Sequence, residues 1–128
     1  VQMGHRFVTR FALGTVPTDE TSPIFFQFLE AVFQILLQYP NAFEFNQHYL
    51  VLILQGVVAG RFENFIFDCE AERIEFGGEN VWPVLWTHKS SIVNKGYSKL
   101  EEPLIINSHV SQMKVFSDVW LSSSRNNL

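Results

Sequence analysis

The 128 residues include thirteen Phe, three Trp and three Tyr, with 47% apolar and only 17% charged side chains, a composition too apolar and aromatic for a disordered chain. Nine Lys and Arg stand against thirteen Asp and Glu for a net charge of −4, so no overall basic field draws the molecule to nucleic acid or anionic lipid. Cys69 is the single cysteine, which excludes an intrachain disulfide framework and suits a reducing compartment.

In chain order, Gly4 to Leu13 places Phe7, Phe11 and Val8 on one face and reads as the end of a helix whose start is missing. Gly14, Pro17, Thr18, Asp19 and Glu20 make a loop. Ser22-Pro23 then opens the strongest element, with Ser22 as the N-cap and Pro23 at the first helical position, where its missing N–H costs nothing. From Ile24 to Tyr39 the polar residues Gln27, Glu30, Gln34 and Gln38 recur every three or four residues, one narrow stripe on an otherwise apolar helix. Pro40 closes it.

A second helix runs from Gln47 to about Val58, capped by Asn46 and ended by Gly60, with Gly56 weakening it by about 1 kcal/mol relative to Ala. Its apolar residues go almost all the way round. Arg61 to Phe67 is an aromatic connection, and Asp68 is read as the cap of a short acidic turn from Cys69 to Ile74 before Gly77-Gly78 breaks the chain. Val81 to Thr87 is a short helix with Trp82 and Trp86 on one side. The last forty residues or so are irregular, with Pro103, an amphipathic stretch from Val110 to Leu121 and a polar tail, Ser122 to Leu128. The best apolar run, Leu50 to Ala59, is broken by Gln55 and Gly56 and falls well short of the ~20 residues of a membrane span. No signal segment opens the chain, and its start at Val1 rather than Met suggests a piece of a longer protein. Two long helices apolar on most of their circumference need neighbours on several sides, so a covering layer is expected from outside this chain.

Chemistry is sparse. Cys69 and Arg73 are separated by only Glu70-Ala71-Glu72, too few residues and too acidic to wrap a phosphate or to favour a thiolate, so Cys69 reads as structural. His5, His48, His88 and His109 lack ligand spacing, and no phosphate loop or metal motif is present, so no cofactor or metal is expected. Arg6 and Arg10, four apart on a helix, lie on one face about 6 Å apart along the axis. Like charges at that spacing cost a helix about 0.2–0.5 kcal/mol and call for an anion. Two guanidinium forks suit a phosphate, while a solvated face or pairing with upstream carboxylates fits the same spacing. The stripe Phe25, Phe28, Leu29, Val32, Leu36 and the triplet Phe43-Glu44-Phe45 read as packing.

Three blocks together are similar to a known family: Gly4-His5-Arg6-Phe7-Val8-Thr9-Arg10, Ser22-Pro23-Ile24-Phe25-Phe26-Gln27-Phe28-Leu29-Glu30, and the run from Gln38-Tyr39-Pro40-Asn41 through Glu44-Phe45-Asn46 to Leu50. They resemble the myotubularin phosphoinositide phosphatases in residues, order and spacing. Phe65 to Arg73 resembles the family's Thr-Phe-Leu…Ser-Glu-x-x-Arg stretch, with Asn64 where Thr is usual, and Val81 to Trp86 its short Trp-containing helix. Val110 to Leu121 resembles its closing segment less well.

The resemblance implies a mainly α fold: residues 1–121 as the C-terminal helical part of an α/β cysteine-phosphatase-like domain, with the central sheet largely missing, and residues 122–128 as a tail. It implies that the catalytic Cys-x5-Arg loop, whose Cys attacks phosphorus and whose Arg stabilises the transferring group, lies upstream with the lipid-binding domain, leaving no catalytic residue here. Arg6 and Arg10 then map onto basic positions that hold inositol phosphates. The parent is expected to remove the 3-phosphate of phosphatidylinositol 3-phosphate and 3,5-bisphosphate, in the cytoplasm and peripherally on endosomal membranes. The alternative is a non-catalytic adaptor that binds active myotubularins through its helical region. Retention of both arginines favours an active parent, while Gly56, Val115-Phe116 in place of Leu-Trp and a shortened Gly77-Gly78 connection mark a divergent member.

Overall fold

Residues 4–12 and 16–120 are described by the computed structural model and are mainly helical. Helices α1 (Phe7–Phe11), α2 (Ile24–Gln38), α3 (Gln47–Ala59), α4 (Glu70–Phe76), α5 (Val81–Thr87), α6 (Lys89–Ile92) and α7 (Ser117–Trp120) follow one another, with single 3-10 turns at Glu63–Phe65 and Val110–Gln112. Extended pairing among the described residues is limited to isolated bridges, Phe45 with Val93 and Phe62 with Glu79. The mainly α expectation holds, without a sheet among those residues. The tail at 122–128 lies outside them.

The centre is α2 packed on α3. Leu29, Phe33 and Leu36 recur at helical spacing on the inner face of α2 and meet Leu50, Ile53, Leu54 and Val57 of α3 in one buried cluster. Asn46 caps α3 as the sequence predicts, its side chain accepting from the His48 N–H at 3.0 Å. Gly60 ends the helix in the left-handed conformation at φ +57°. Gly56 is not a flaw in the helix: a Cβ there would lie 3.0 Å from the Phe62 ring and 3.3 Å from Phe65. The helix gives up propensity so that two aromatic rings can close on its backbone.

Short segments cover α3 better than the sequence suggests. Phe62, Phe65, Val81, Leu85 and Phe116 all join the buried cluster, because each aromatic ring covers a large apolar area from a short stretch of chain. Of the apolar residues of α3, Val58 stays exposed. Apolar surface stays exposed on the outer face of α2 at Ile24, Phe28 and Leu37, and at Trp82 and Trp86 on α5, among other places.

The polar stripe of α2 is a rail for the distant end of the chain. Gln38 donates to the Asn107 carbonyl at 2.9 Å and accepts from the Asn107 N–H at 2.9 Å. One turn on, Gln34 donates to the Lys114 carbonyl at 2.6 Å and accepts from its N–H at 3.1 Å. Each amide side chain thus satisfies both backbone groups of one residue, as a neighbouring strand would. The predicted amphipathic stretch from Val110 to Leu121 is therefore not one helix. It is a 3-10 turn, an extended span held by Gln34, and then α7. Phe116 pins it, stacked on Phe33 at 4.0 Å between ring centroids.

Three further expectations are corrected. Ser22 does not cap α2: Pro23 is the cap residue, no side chain bonds there, and the Ser22 N–H is spent on the Arg10 carbonyl at 2.9 Å. Asp68 does not cap α4, which Cys69 precedes without a side-chain bond. Nor is α1 the end of a longer helix, since it starts at Phe7 after the non-helical Arg6 and after Gly4 at φ +63°.

Candidate functional site

The leading segment is placed by Arg73, which is buried with 8% of its surface exposed. Its Nε donates to the Ile66 carbonyl at 2.9 Å, and its Nη2 donates to the His5 carbonyl at 2.9 Å and the Phe67 carbonyl at 3.2 Å. Glu70 lies 3.5 Å from Nη1, so the buried charge is both hydrogen-bonded and paired. A Cβ on Gly4 would sit 2.8 Å from Nη1. Close approach and positive φ together make glycine necessary there. Once clasped, the chain enters α1 with the Phe7 N–H on the Phe67 carbonyl at 3.2 Å.

Asp68, next along the clasped loop, caps α1 from outside. Its carboxylate accepts from the Thr9 N–H at 3.0 Å and from the Thr9 hydroxyl. Burial works to raise its pKa, but the Thr9 hydroxyl, the Thr9 N–H, the Arg6 charge and the Val8 N–H outweigh it and hold the carboxyl below its usual value. A capping carboxylate at a helix start was expected, but the sequence reading placed it on α4.

Arg6 and Arg10 come together, though not as a bare helical face. Arg6 is the residue before α1, and the Arg10 N–H bonds to its carbonyl at 2.9 Å, closing the first turn. The Arg6 guanidinium reaches Glu20 Oε2 at 3.0 Å, the Thr9 hydroxyl at 3.2 Å and Asp68 Oδ2 at 3.7 Å. Arg10 Nη1 donates to the Glu20 backbone carbonyl at 2.8 Å. Both arginines therefore converge on one loop residue, one on its side chain and one on its main chain. The carboxylates that face Arg6, those of Glu20 and Asp68, both lie downstream of it. Only half of each side chain of the Arg6–Glu20 pair is covered, with 50% and 55% exposed.

A cleft of about 520 Å³ is lined by His5, Phe7, Phe25, Phe65, Arg73 and Trp82, among others. His5 packs edge-on to Phe7 at 4.7 Å, and its Nε2 is buried without a hydrogen-bond partner. Burial, then the charges of Arg10 and Arg73, lower its pKa against a smaller opposing effect of Asp68, which keeps the imidazole neutral at pH 7. Cys69 is exposed, so it takes no part in core packing, and the Arg73 guanidinium beyond it is committed to carbonyls. Among the described residues no three His, Cys, Asp or Glu side chains gather as a metal site, and no helix is long and apolar enough to cross a membrane.

Glu20, Asp68 and Thr9 were missed as members of the cluster. The acidic Asp19-Glu20 pair in a loop shortly after two arginines was a usable signal for Glu20. Nothing local pointed to Asp68, 59 residues from Thr9.

The myotubularin-like phosphatase domain matches residues 1–74 of the chain. Myotubularin of Xenopus tropicalis is 33% identical over 105 residues, 77% of this chain and 17% of the relative. The phosphatidylinositol-3,5-bisphosphate 3-phosphatase MTMR6 of Rattus norvegicus is 34% identical over 110 residues, 83% of this chain and 17% of the relative. The phosphatidylinositol-3,5-bisphosphate 3-phosphatase MTMR8 of Homo sapiens is 36% identical over 101 residues, 76% of this chain and 14% of the relative. The chain thus spans about a sixth of the length of the curated relatives it matches.

Proposed function

The chain belongs to the myotubularin-like phosphatase family, and from that premise we propose that it is the headgroup-binding helical part of a phosphoinositide 3-phosphatase. The observation that carries this reading is the convergence of Arg6 and Arg10 on a single residue, Glu20. Two guanidinium groups that share one oxygen-rich partner can share a phosphate, with charge-assisted bonds to its oxygens. The names of the relatives supply the substrate class, 3-phosphorylated inositol lipids. The substrates proposed for the parent are phosphatidylinositol 3-phosphate and its 3,5-bisphosphate, met in the cytoplasm at endosomal membranes.

In this reading residues 1–121 form the C-terminal portion of the phosphatase domain, and 122–128 a tail. Arg6 and Arg10 hold headgroup phosphates and orient the lipid toward a nucleophile outside this sequence. The exposed faces at Phe28 and Trp86 are where other family members or adaptor proteins dock. Because the sequence has no Cys-x5-Arg, the chain by itself turns over no substrate.

The test has two arms. Purified chain should release no phosphate from either lipid; release abolished by Cys69→Ser would overturn the reading. In the full-length parent, Arg6→Ala/Arg10→Ala should lower kcat/KM by more than about tenfold, through loss of two charge-assisted contacts. Unchanged turnover there would remove the pair from the substrate site. A parent without turnover would place the chain with the non-catalytic adaptors.

A further inference from the structure

The two carboxylates that face Arg6 are held very differently. Asp68 is fixed by two bonds to Thr9, its side chain is 26% exposed and it stands 3.7 Å from the guanidinium. Glu20 is closer, at 3.0 Å, and its side chain is 55% exposed. Among the described residues the Glu20 carboxylate makes a side-chain bond to Arg6 and to no other group.

The backbone of Glu20 is held by contacts that do not involve its carboxylate. The Thr21 N–H bonds to the Thr18 carbonyl at 2.9 Å, and the Ser22 N–H bonds to the Arg10 carbonyl at 2.9 Å. The Thr18 N–H bonds to the Thr21 hydroxyl at 2.9 Å, and the Thr18 hydroxyl accepts from the Glu20 N–H at 3.3 Å. Arg10 completes the frame on the Glu20 carbonyl. The main chain is therefore anchored while the carboxylate can leave Arg6 by side-chain rotation alone.

We infer that the Glu20 carboxylate is an internal counter-anion in the phosphate seat of Arg6 and Arg10, and that a ligand phosphate enters by displacing it. The inference rests on the phosphate reading of the arginine pair. Glu20 thus acts as an affinity-setting residue with two separable parts: its carbonyl positions Arg10, and its carboxylate neutralises Arg6 until a more highly charged anion arrives. A phosphate dianion outcompetes a carboxylate because it brings more charge and more acceptor oxygens to the same donors. An ion pair half exposed to water is weak, so the exchange lowers anion affinity severalfold without blocking it. Asp68 stays in place during the exchange and keeps the inner side of Arg6 fixed.

The experiment compares the chain with its Glu20→Gln variant, which preserves the backbone carbonyl and nearly the shape of the side chain. Binding is measured by NMR titration with inorganic phosphate in one arm, and by cosedimentation with phosphatidylcholine vesicles containing phosphatidylinositol 3-phosphate in the other. Glu20→Gln should bind both about two- to fivefold more tightly, the range set by the strength of an exposed ion pair. In the wild-type chain the Glu20 carboxyl carbon signal should shift with the same midpoint as the Arg6 Nε signal. Tightening in the vesicle arm alone identifies the lipid headgroup as the ligand, and tightening in the phosphate arm alone identifies free phosphate. Unchanged or weaker binding by Glu20→Gln, with binding still abolished by Arg6→Ala/Arg10→Ala, would overturn the counter-anion role and leave the phosphate seat standing. Binding that ignores both arginines, in wild type and variant alike, would remove the seat itself.

Discussion

Gln34 closes two hydrogen bonds with the backbone of Lys114, 80 residues away, donating to its carbonyl and accepting from its N–H. Gln38 does the same for Asn107, so the outer stripe of α2 holds an extended strap whose residues from 105 to 115 are otherwise exposed. Replacing either glutamine by Ala should cost about 1 kcal/mol, the net value of bonds whose partners can return to water. Hydrogen exchange at the Lys114 amide should accelerate in Gln34→Ala while that at Leu54, in the middle of α3, does not. Equal protection of Lys114 in both proteins would show that Gln34 does not hold the strap.

The same strap marks the limit of what the sequence discloses. The stripe Gln27, Glu30, Gln34, Gln38 was legible as one face of a helix, because it needs only the 3.6-residue period. That two of its members pair with the main chain some seventy to eighty residues later follows from tertiary geometry, which no local pattern encodes. Likewise the bounds of α2, α3 and α5 and the caps Asn46 and Gly60 are local chemistry and could be read. At the candidate site, Arg6 and Arg10 were legible from their spacing, whereas Asp68 and the clasp of Arg73 on the His5 carbonyl were not. The start of α1 was misread because the turn that sets it depends on Arg73.

Gly56 was read as a weak point of α3, and its neighbours reverse that reading. Gly56→Ala gains about 1 kcal/mol of helix propensity but forces the Phe62 ring, already 3.0 Å from the new carbon, out of a buried position. Overpacking of this kind costs about 1–3 kcal/mol. The expected result is a net loss of about 1 kcal/mol in urea unfolding. A stabilised variant would mean that Phe62 yields freely.

Arg73 should be the least replaceable charged residue described. Lysine can supply the charge but not the fork that reaches the carbonyls of His5, Ile66 and Phe67. Both Arg73→Lys and Arg73→Leu should lose about 3 kcal/mol, the usual scale for breaking a buried charged network. Arg73→Lys within about 0.5 kcal/mol of wild type, inside the range of an ordinary surface substitution, would contradict the clasp.

The pH dependence of stability has a definite sign. His5 is harder to protonate when folded than its ordinary value of 6.5, so below that pH the unfolded chain binds more protons and stability falls as pH drops toward the folded value. Asp68 adds to the loss at lower pH. Its folded pKa is below 3.8, so its contribution is present above that value and is lost as pH falls through the folded one. In His5→Phe, which extends the surrounding ring cluster, the melting temperature should stay flat from pH 7 to about 5 while that of wild type declines. Parallel declines in the two proteins would rule out His5 as the source.

The arginine pair as a phosphate seat is the centre of the account, and one titration addresses it most directly. The chain is titrated with soluble inositol 1,3-bisphosphate while the side-chain Nε signals of Arg6 and Arg10 and the Thr9 amide are followed by NMR. Saturable shifts with one midpoint are expected at all three, with loss of the Thr9 shift in Arg6→Ala/Arg10→Ala. A titration that leaves both arginine signals in place, or a Thr9 shift that survives loss of the arginines, would contradict it.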